Sequence, residues 1–343
     1  MAGVEMKREK IFSVGYKVMS GEPDYFSDIV SDCRNHIQEV YFAWPGTASG
    51  RAPLEKDEET VRQMTGELTY IKSMGVKLNL LMNASCYGKD AVSEAFCAGI
   101  RELINRLHGE LDIDAITTLS PIIAGIAKKD FQMIDVRASV NMRLGTVRGM
   151  EYAADFFDSY CIQREFNRDP ERLAELQEWA QCHGKKLYAL VNSGCLNSCS
   201  FQMFHDNVVA HEGDINNDET TKQAGTLCRN YYSRKEHWAN FLQGSWIRPE
   251  DIEKHQQHFS GGYKLATRMH DNPRLVIDAY ARGKYFGNLL DLMEPGFGPL
   301  WHPSILDNRR FPEDWFDRTM ACGQKCAKCA YCKEVLKKCI IRI

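Results

Sequence analysis

Apolar and polar positions along this chain follow two alternating periods. Eight short runs rich in aliphatic and aromatic residues have strand length: "IFSVGYKV" from Ile11, "EVYFAWP" from Glu39, "VKLNLLMNA" from Val76, "DAITTLS" from Asp114, "FQMIDVRASV" from Phe131, "YCIQREF" from Tyr160, "KKLYALVN" from Lys185 and "GGYKLATR" from Gly261. Between several of them the apolar residues recur at helix spacing, as in "DEETVRQMTGELTYIKSMG" and "DPERLAELQEWAQCHG", each closed by a glycine. Strand followed by helix, repeated about eight times, predicts an α/β fold of the TIM-type (β/α) barrel kind, which uses about 250 residues. An open doubly wound sheet makes the same local pattern. No G-x-G-x-x-G follows an early strand, which lowers the dinucleotide-binding form of that alternative. The barrel is expected over residues 10–290, with a cysteine-rich C-terminal extension over 291–343 that binds metal or a cluster.

A barrel of this kind places its chemistry at the C-terminal ends of the strands. That rule selects "WPGTASGR" with Ser49 and Arg51, then Asn83, Ser120, Arg137 and Asn141, Arg164 and Glu165, and "NSGCLNSC" with Asn192, Cys195 and Cys199. Arg51, on a loop, is a candidate to grip a carboxylate or phosphate, because a guanidinium offers a bidentate fork. A solvated loop arginine is the plainer account of the same residue.

Charge and composition narrow the partners. The net charge of −3 and a pI near 6.4 provide no basic field for nucleic acid or an anionic membrane. No run approaches the about 20 apolar residues that span a bilayer, and "MAGVEMKREK" lacks a secretory apolar core, so a cytoplasmic location is expected. Thirteen cysteines in a reducing compartment point to metal or redox work for a subset. Cys33, Cys86, Cys97, Cys161 and Cys182 are scattered singly and read as buried filler.

The remaining cysteines are Cys195 and Cys199 after the seventh strand, Cys228 downstream, and Cys322, Cys326, Cys329, Cys332 and Cys339 in the tail. The tail spacing C-x3-C-x2-C-x2-C from Cys322 to Cys332 is close to ferredoxin-type cluster binders, with zinc as the main rival. Cys195 and Cys199 fit half of a metal site or a thiol redox pair. His205 and His211 follow too closely for a two-cysteine, two-histidine zinc finger and suit acid, base or orienting roles.

The stretch "GGYKLATRMHDNPRLVIDAY", with Lys264, Arg268 and Tyr280, resembles the signature that ends the catalytic barrel of the peptidase U32 (collagenase-like) family, and "VNSGCLNSC" stands where that family has its first cysteine pair. The resemblance covers roughly residues 10 to 290. It implies kinship with the family's iron–sulfur proteins, anaerobic hydroxylases that work without oxygen. By that resemblance Cys195, Cys199 and Cys228 are ligands of a 4Fe-4S cluster at the barrel mouth, and Arg268 is a pocket residue, with Lys264 internal to its strand. The first pair is closer together than in the family motif, and "IRPEDI" lacks the expected fourth cysteine. Either the tail supplies that ligand or Cys322, Cys326, Cys329 and Cys332 hold a second cluster.

The leading expectation is therefore an iron–sulfur oxidoreductase that hydroxylates, or otherwise oxidises or reduces, a small aromatic or nucleotide-linked substrate. In it Arg51, Ser49, Arg137, Asn141, Asn192 and Arg268 hold the substrate, while His205, His211 and Arg51 act in catalysis. Two alternatives stand beside it: a U32-type peptidase or hydrolase, and a metal-stabilised, non-catalytic subunit that pairs with a related barrel protein as a homo- or heterodimer. No HExxH or G-x-S-x-G motif supports the hydrolase.

Overall fold

The computed structural model describes residues 11–19, 21–51, 53–211 and 226–343; the first ten residues, read above for a leader, lie outside it. Eight parallel strands close into a barrel in chain order, the TIM-type architecture expected from the alternating pattern. They are β1 (Phe12–Gly15), β2 (Ile37–Phe42), β3 (Lys77–Met82), β4 (Ala115–Thr118), β5 (Asp135–Ala138), β6 (Ser159–Cys161), β7 (Lys186–Leu190) and β8 (Gly262–Leu265). Closure is direct: Phe12, Ser13 and Val14 pair with Tyr263, Lys264 and Leu265.

Helix starts are written locally. Ser120, Asp169 and Asn272 each cap a helix through the side chain, and each is followed by a proline at the first helical position. There the missing N–H costs nothing and the fixed φ suits the turn. The outer faces of the strands bury Val14, Val40, Leu78, Leu80, Ile116 and Val136 against those helices.

The inner faces are unusually polar. Arg137 on β5 meets Glu39 on β2 through two parallel bonds, at 2.7 and 2.9 Å, and its Nε donates to Ser159 at 3.1 Å. Ser13 and Asn79 donate to the same Glu39 carboxylate, and Thr117 donates to Asn79. The Arg137 guanidinium also lies 3.7 Å from the Tyr188 ring centroid. Burial works against the Glu39 charge, but Arg137 and the hydroxyl and amide donors outweigh it and hold the carboxyl below its ordinary range.

Residues beyond 290 are packed onto the barrel. Trp301 stacks on Trp238 at 4.3 Å and Trp315 on Trp246 at 5.8 Å, while Ile340–Arg342 pairs antiparallel with Ser304–Leu306.

Candidate active site

The C-terminal ends of the strands frame a cavity of about 420 Å³. Its edges are tied together by short polar bonds. Gly50, in the loop after β2, donates its N–H to Asn83 after β3 at 3.0 Å, and Asn83 donates onward to Ser139 after β5 at 3.4 Å. A Cβ at Gly50 would stand 3.0 Å from the Asn83 amide nitrogen, so the close approach of these loops favours glycine. Ser139 in turn accepts from the backbone of Asn141, which lines the cavity.

Arg51 and Arg268 reach the cavity from the loops after β2 and β8, the two strands that flank β1. Arg268 donates to the Ser49 hydroxyl at 3.1 Å, and Ser49 donates to the Arg51 carbonyl at 3.3 Å. Burial, with the like charge of Arg51 added, lowers the Arg268 guanidinium to about 10. Arg164, Arg229 and Lys264 join them in the lining, against the carboxyls of Asp206 and Glu294. Glu294 lies 3.9 Å from Arg51, too long for a strong pair, and burial raises the affinity of both carboxyls for a proton. The cavity therefore holds more positive than negative side chains, a composition that suits an anionic ligand.

Lys264 sits on β8 with its ammonium 4.1 Å from the Tyr41 ring centroid, and burial lowers it to about 8. A lysine so placed loses its proton close to neutral pH and can act as a base.

The thiols occupy one wall. Cys195, Cys199 and Cys228 all line the cavity, and burial together with Cys195 pushes Cys228 up to about 11. Arg164, buried behind them, donates to Ser193 at 3.1 Å; burial opposes its charge, but Cys195, Glu165, Asp206 and Cys199 leave its pKa raised. This donor set has the chemistry of a cluster site: three soft thiols beside a buried cation. Among the described residues, no three potential ligands are gathered tightly enough to hold a single ion.

Several expected site residues are placed elsewhere. Arg137 points inward from the middle of β5 rather than from its end, and Glu39, Ser159 and Asp135 occupy its donors, so it is a barrel-core residue and not a substrate grip. The Asn192 amide accepts from the backbone of Ala266 and donates to the carbonyls of Ala266 and Leu292, splicing β7 to β8 instead of facing ligand. Ser49 is fully buried and orients Arg268. His205 does line the cavity. His211 caps α7 (Gln202–Ala210) and hydrogen-bonds the Cys86 thiol, lowering that thiol's pKa. Cys322, Cys326, Cys329 and Cys332 do not line the cavity; they belong to the segment after Trp315, whose ring lies 5.3 Å from the Arg168 guanidinium.

Lys264, read from the sequence only as internal to its strand, lines the cavity; the signal that could have found it is the alternation Tyr263, Lys264, Leu265, which turns the charged residue to the face opposite its two apolar neighbours. Arg229, Asp206 and Glu294 left no comparable signal: they reach the cavity from segments outside the eight strands.

No family model matches the chain. A protein of Methanocaldococcus jannaschii named uncharacterized protease MJ1657 is 25% identical over 330 residues, covering 94% of both chains. The solved structure of the U32 peptidase Mk0906 superposes with a TM-score of 0.54 over 78% of this chain and 96% of its own, at 13% identity, a likeness of fold. Together they agree with the resemblance to the U32 family read from the sequence.

Proposed function

We propose that this chain is a U32-type enzyme that acts on an anionic substrate at the barrel mouth, with amide hydrolysis as its leading reaction. The observation that carries the proposal is the placing of Arg51 and Arg268 on one cavity with Lys264 among them. The protease and peptidase names of its relatives add the reaction class.

In this mechanism neutral Lys264 takes a proton from a water molecule. The water oxygen bonds to the substrate carbonyl carbon, and the carbonyl electron pair moves onto oxygen. Arg51 and Arg268 stabilise that oxyanion, which carries the charge only after attack. When the oxyanion collapses, the C–N bond breaks and the Lys264 ammonium returns its proton to the leaving nitrogen. Arg229, exposed at the rim, grips an acidic side chain of the substrate.

A second reading, the redox enzyme, is favoured by the three thiols on the same wall. Cys195, Cys199 and Cys228 would hold an iron–sulfur cluster, which supplies one-electron chemistry when bound. Arg164 would then offset its charge, and His205 and Lys264 would hold or move protons.

One preparation separates the two: the full chain purified without oxygen, assayed for iron and acid-labile sulfide and for cleavage of a set of fluorogenic acidic peptides. Cleavage that falls about 100-fold or more in Lys264→Met supports hydrolysis. No cleavage, with iron that disappears in Cys195→Ser, replaces it with the redox reading.

A further inference from the structure

Among the described residues, Arg168 forms no ion pair with a carboxylate. It precedes α6 (Pro170–Cys182), is 8% exposed, and is flanked by the rings of Trp246 at 4.5 Å and Trp315 at 5.3 Å. Its hydrogen bonds among the described residues go to the carbonyls of Leu242 and Trp246, both at 2.8 Å. Carbonyl dipoles ease the burial of a guanidinium but do not neutralise it. The carboxylate that acts on it, Asp251, is bridged through both oxygens to Arg248, at 2.9 and 3.2 Å. On the side of Trp315, whose ring stacks on Tyr331 at 6.0 Å, the neighbours that act on the Arg168 charge are the thiols of Cys332 and Cys322.

Those two belong to the tail group. Cys326 and Cys329 close one tight turn, the Cys329 N–H donating to the Cys326 carbonyl at 3.3 Å, and Cys332 opens the helix that follows; all four are exposed or half-buried, and as they stand no three of them are gathered tightly enough for a single ion. The turn that carries the group is built. Gly323 and Gln324 both take positive φ, at 58° and 51°, which folds the chain back so that the Gln324 N–H reaches the Cys322 sulfur at 3.4 Å. The Gln324 side chain donates to the Glu165 carbonyl at 3.1 Å, fixing the turn to the segment that carries Arg168. Cys339, by contrast, is fully buried in the apolar core and stands apart from the group as filler.

We propose that Cys322, Cys326, Cys329 and Cys332 hold an iron–sulfur cluster of their own, separate from the barrel mouth, whose negative charge is offset by the buried guanidinium of Arg168. The compact spacing favours a cluster over zinc, whose ribbon sites split their cysteines into two distant pairs. The N–H aimed at the Cys322 sulfur is the kind of donor that stabilises a reduced cluster. Residues 164–168 therefore carry both Arg164, in the cavity lining with the mouth thiols, and Arg168, packed against Trp315 of the extension. The proposal holds whichever reaction the mouth cavity performs.

The test compares iron, acid-labile sulfide and zinc in the full-length chain purified without oxygen, in Cys326→Ser/Cys329→Ser and in Cys195→Ser. The expected result is that the tail variant loses about four irons and four sulfides per chain, and that Cys195→Ser keeps them. An unchanged iron content in the tail variant overturns the proposal. So does zinc without sulfide, or loss of the same iron in both variants, which means one shared centre. For Arg168, release of tail iron to a chelator should be at least ~10-fold faster in Arg168→Met and near the parent rate in Arg168→Lys. Equal rates in all three remove the arginine from the proposal, and the cysteine variants decide the site even if Arg168→Met does not fold.

Discussion

Lys264 carries an amino group into a cavity that already holds four guanidiniums. Burial lowers it to about 8, so its base form accumulates as the pH rises through that value. Peptide hydrolysis should rise through about pH 8 and then level, and Lys264→Arg should abolish the rise, as a pH profile of kcat/KM would show. Folding stability has the same sign: the native value lies below the ordinary 10.5, so the penalty for burying the ammonium is relieved between about 8 and 10.5. In the loop after β3, Cys86 is the thiol lowered by a histidine. Iodoacetamide at neutral pH should label Cys86 ahead of Cys97, and His211→Ala should slow that labelling, read by peptide mass mapping.

The strands and helices are each specified twice, by pattern and by caps. Ser93 illustrates the local device, accepting from the Phe96 N–H at 3.1 Å at the start of α3 (Glu94–Leu111). Ser93→Ala should cost about 1 kcal/mol, seen as a shift in the urea midpoint at unchanged slope. The Glu39–Arg137 pair between β2 and β5 is a larger matter, because removing one partner leaves a buried charge. Glu39→Gln should cost about 3–5 kcal/mol by denaturant titration. Because the native Glu39 value is depressed, its contribution is complete above the ordinary value near 4.5 and is lost as the pH falls below that, so the parent should unfold in acid over a range where Glu39→Gln changes little.

For the whole molecule, the Trp238–Trp301 and Trp246–Trp315 stacks join the extension to the barrel as one core. Trp315→Ala should destabilise by about 3–5 kcal/mol, and barrel and extension should melt together, with near- and far-ultraviolet circular dichroism coincident. Two separate transitions would show instead that the tail folds independently.

The sequence by itself determined the barrel, because period-two runs and period-3.6 runs report which face each element buries, and that information is local. It also marked both cysteine groups, placed Arg51 and Asn141 at strand ends, and, with the family resemblance, named His205 and Arg268 as pocket residues; all four line the cavity. It misplaced Arg137 and Asn192, since a residue type does not say whether a donor faces ligand or a partner such as Glu39 on a strand 98 positions away. Only the closed barrel decided that. Closure brought Arg268 to Ser49 and Lys264 to Tyr41, and the packing of the extension brought Trp315 to Arg168, contacts between residues distant in the chain, for which no short window of sequence carries a signal.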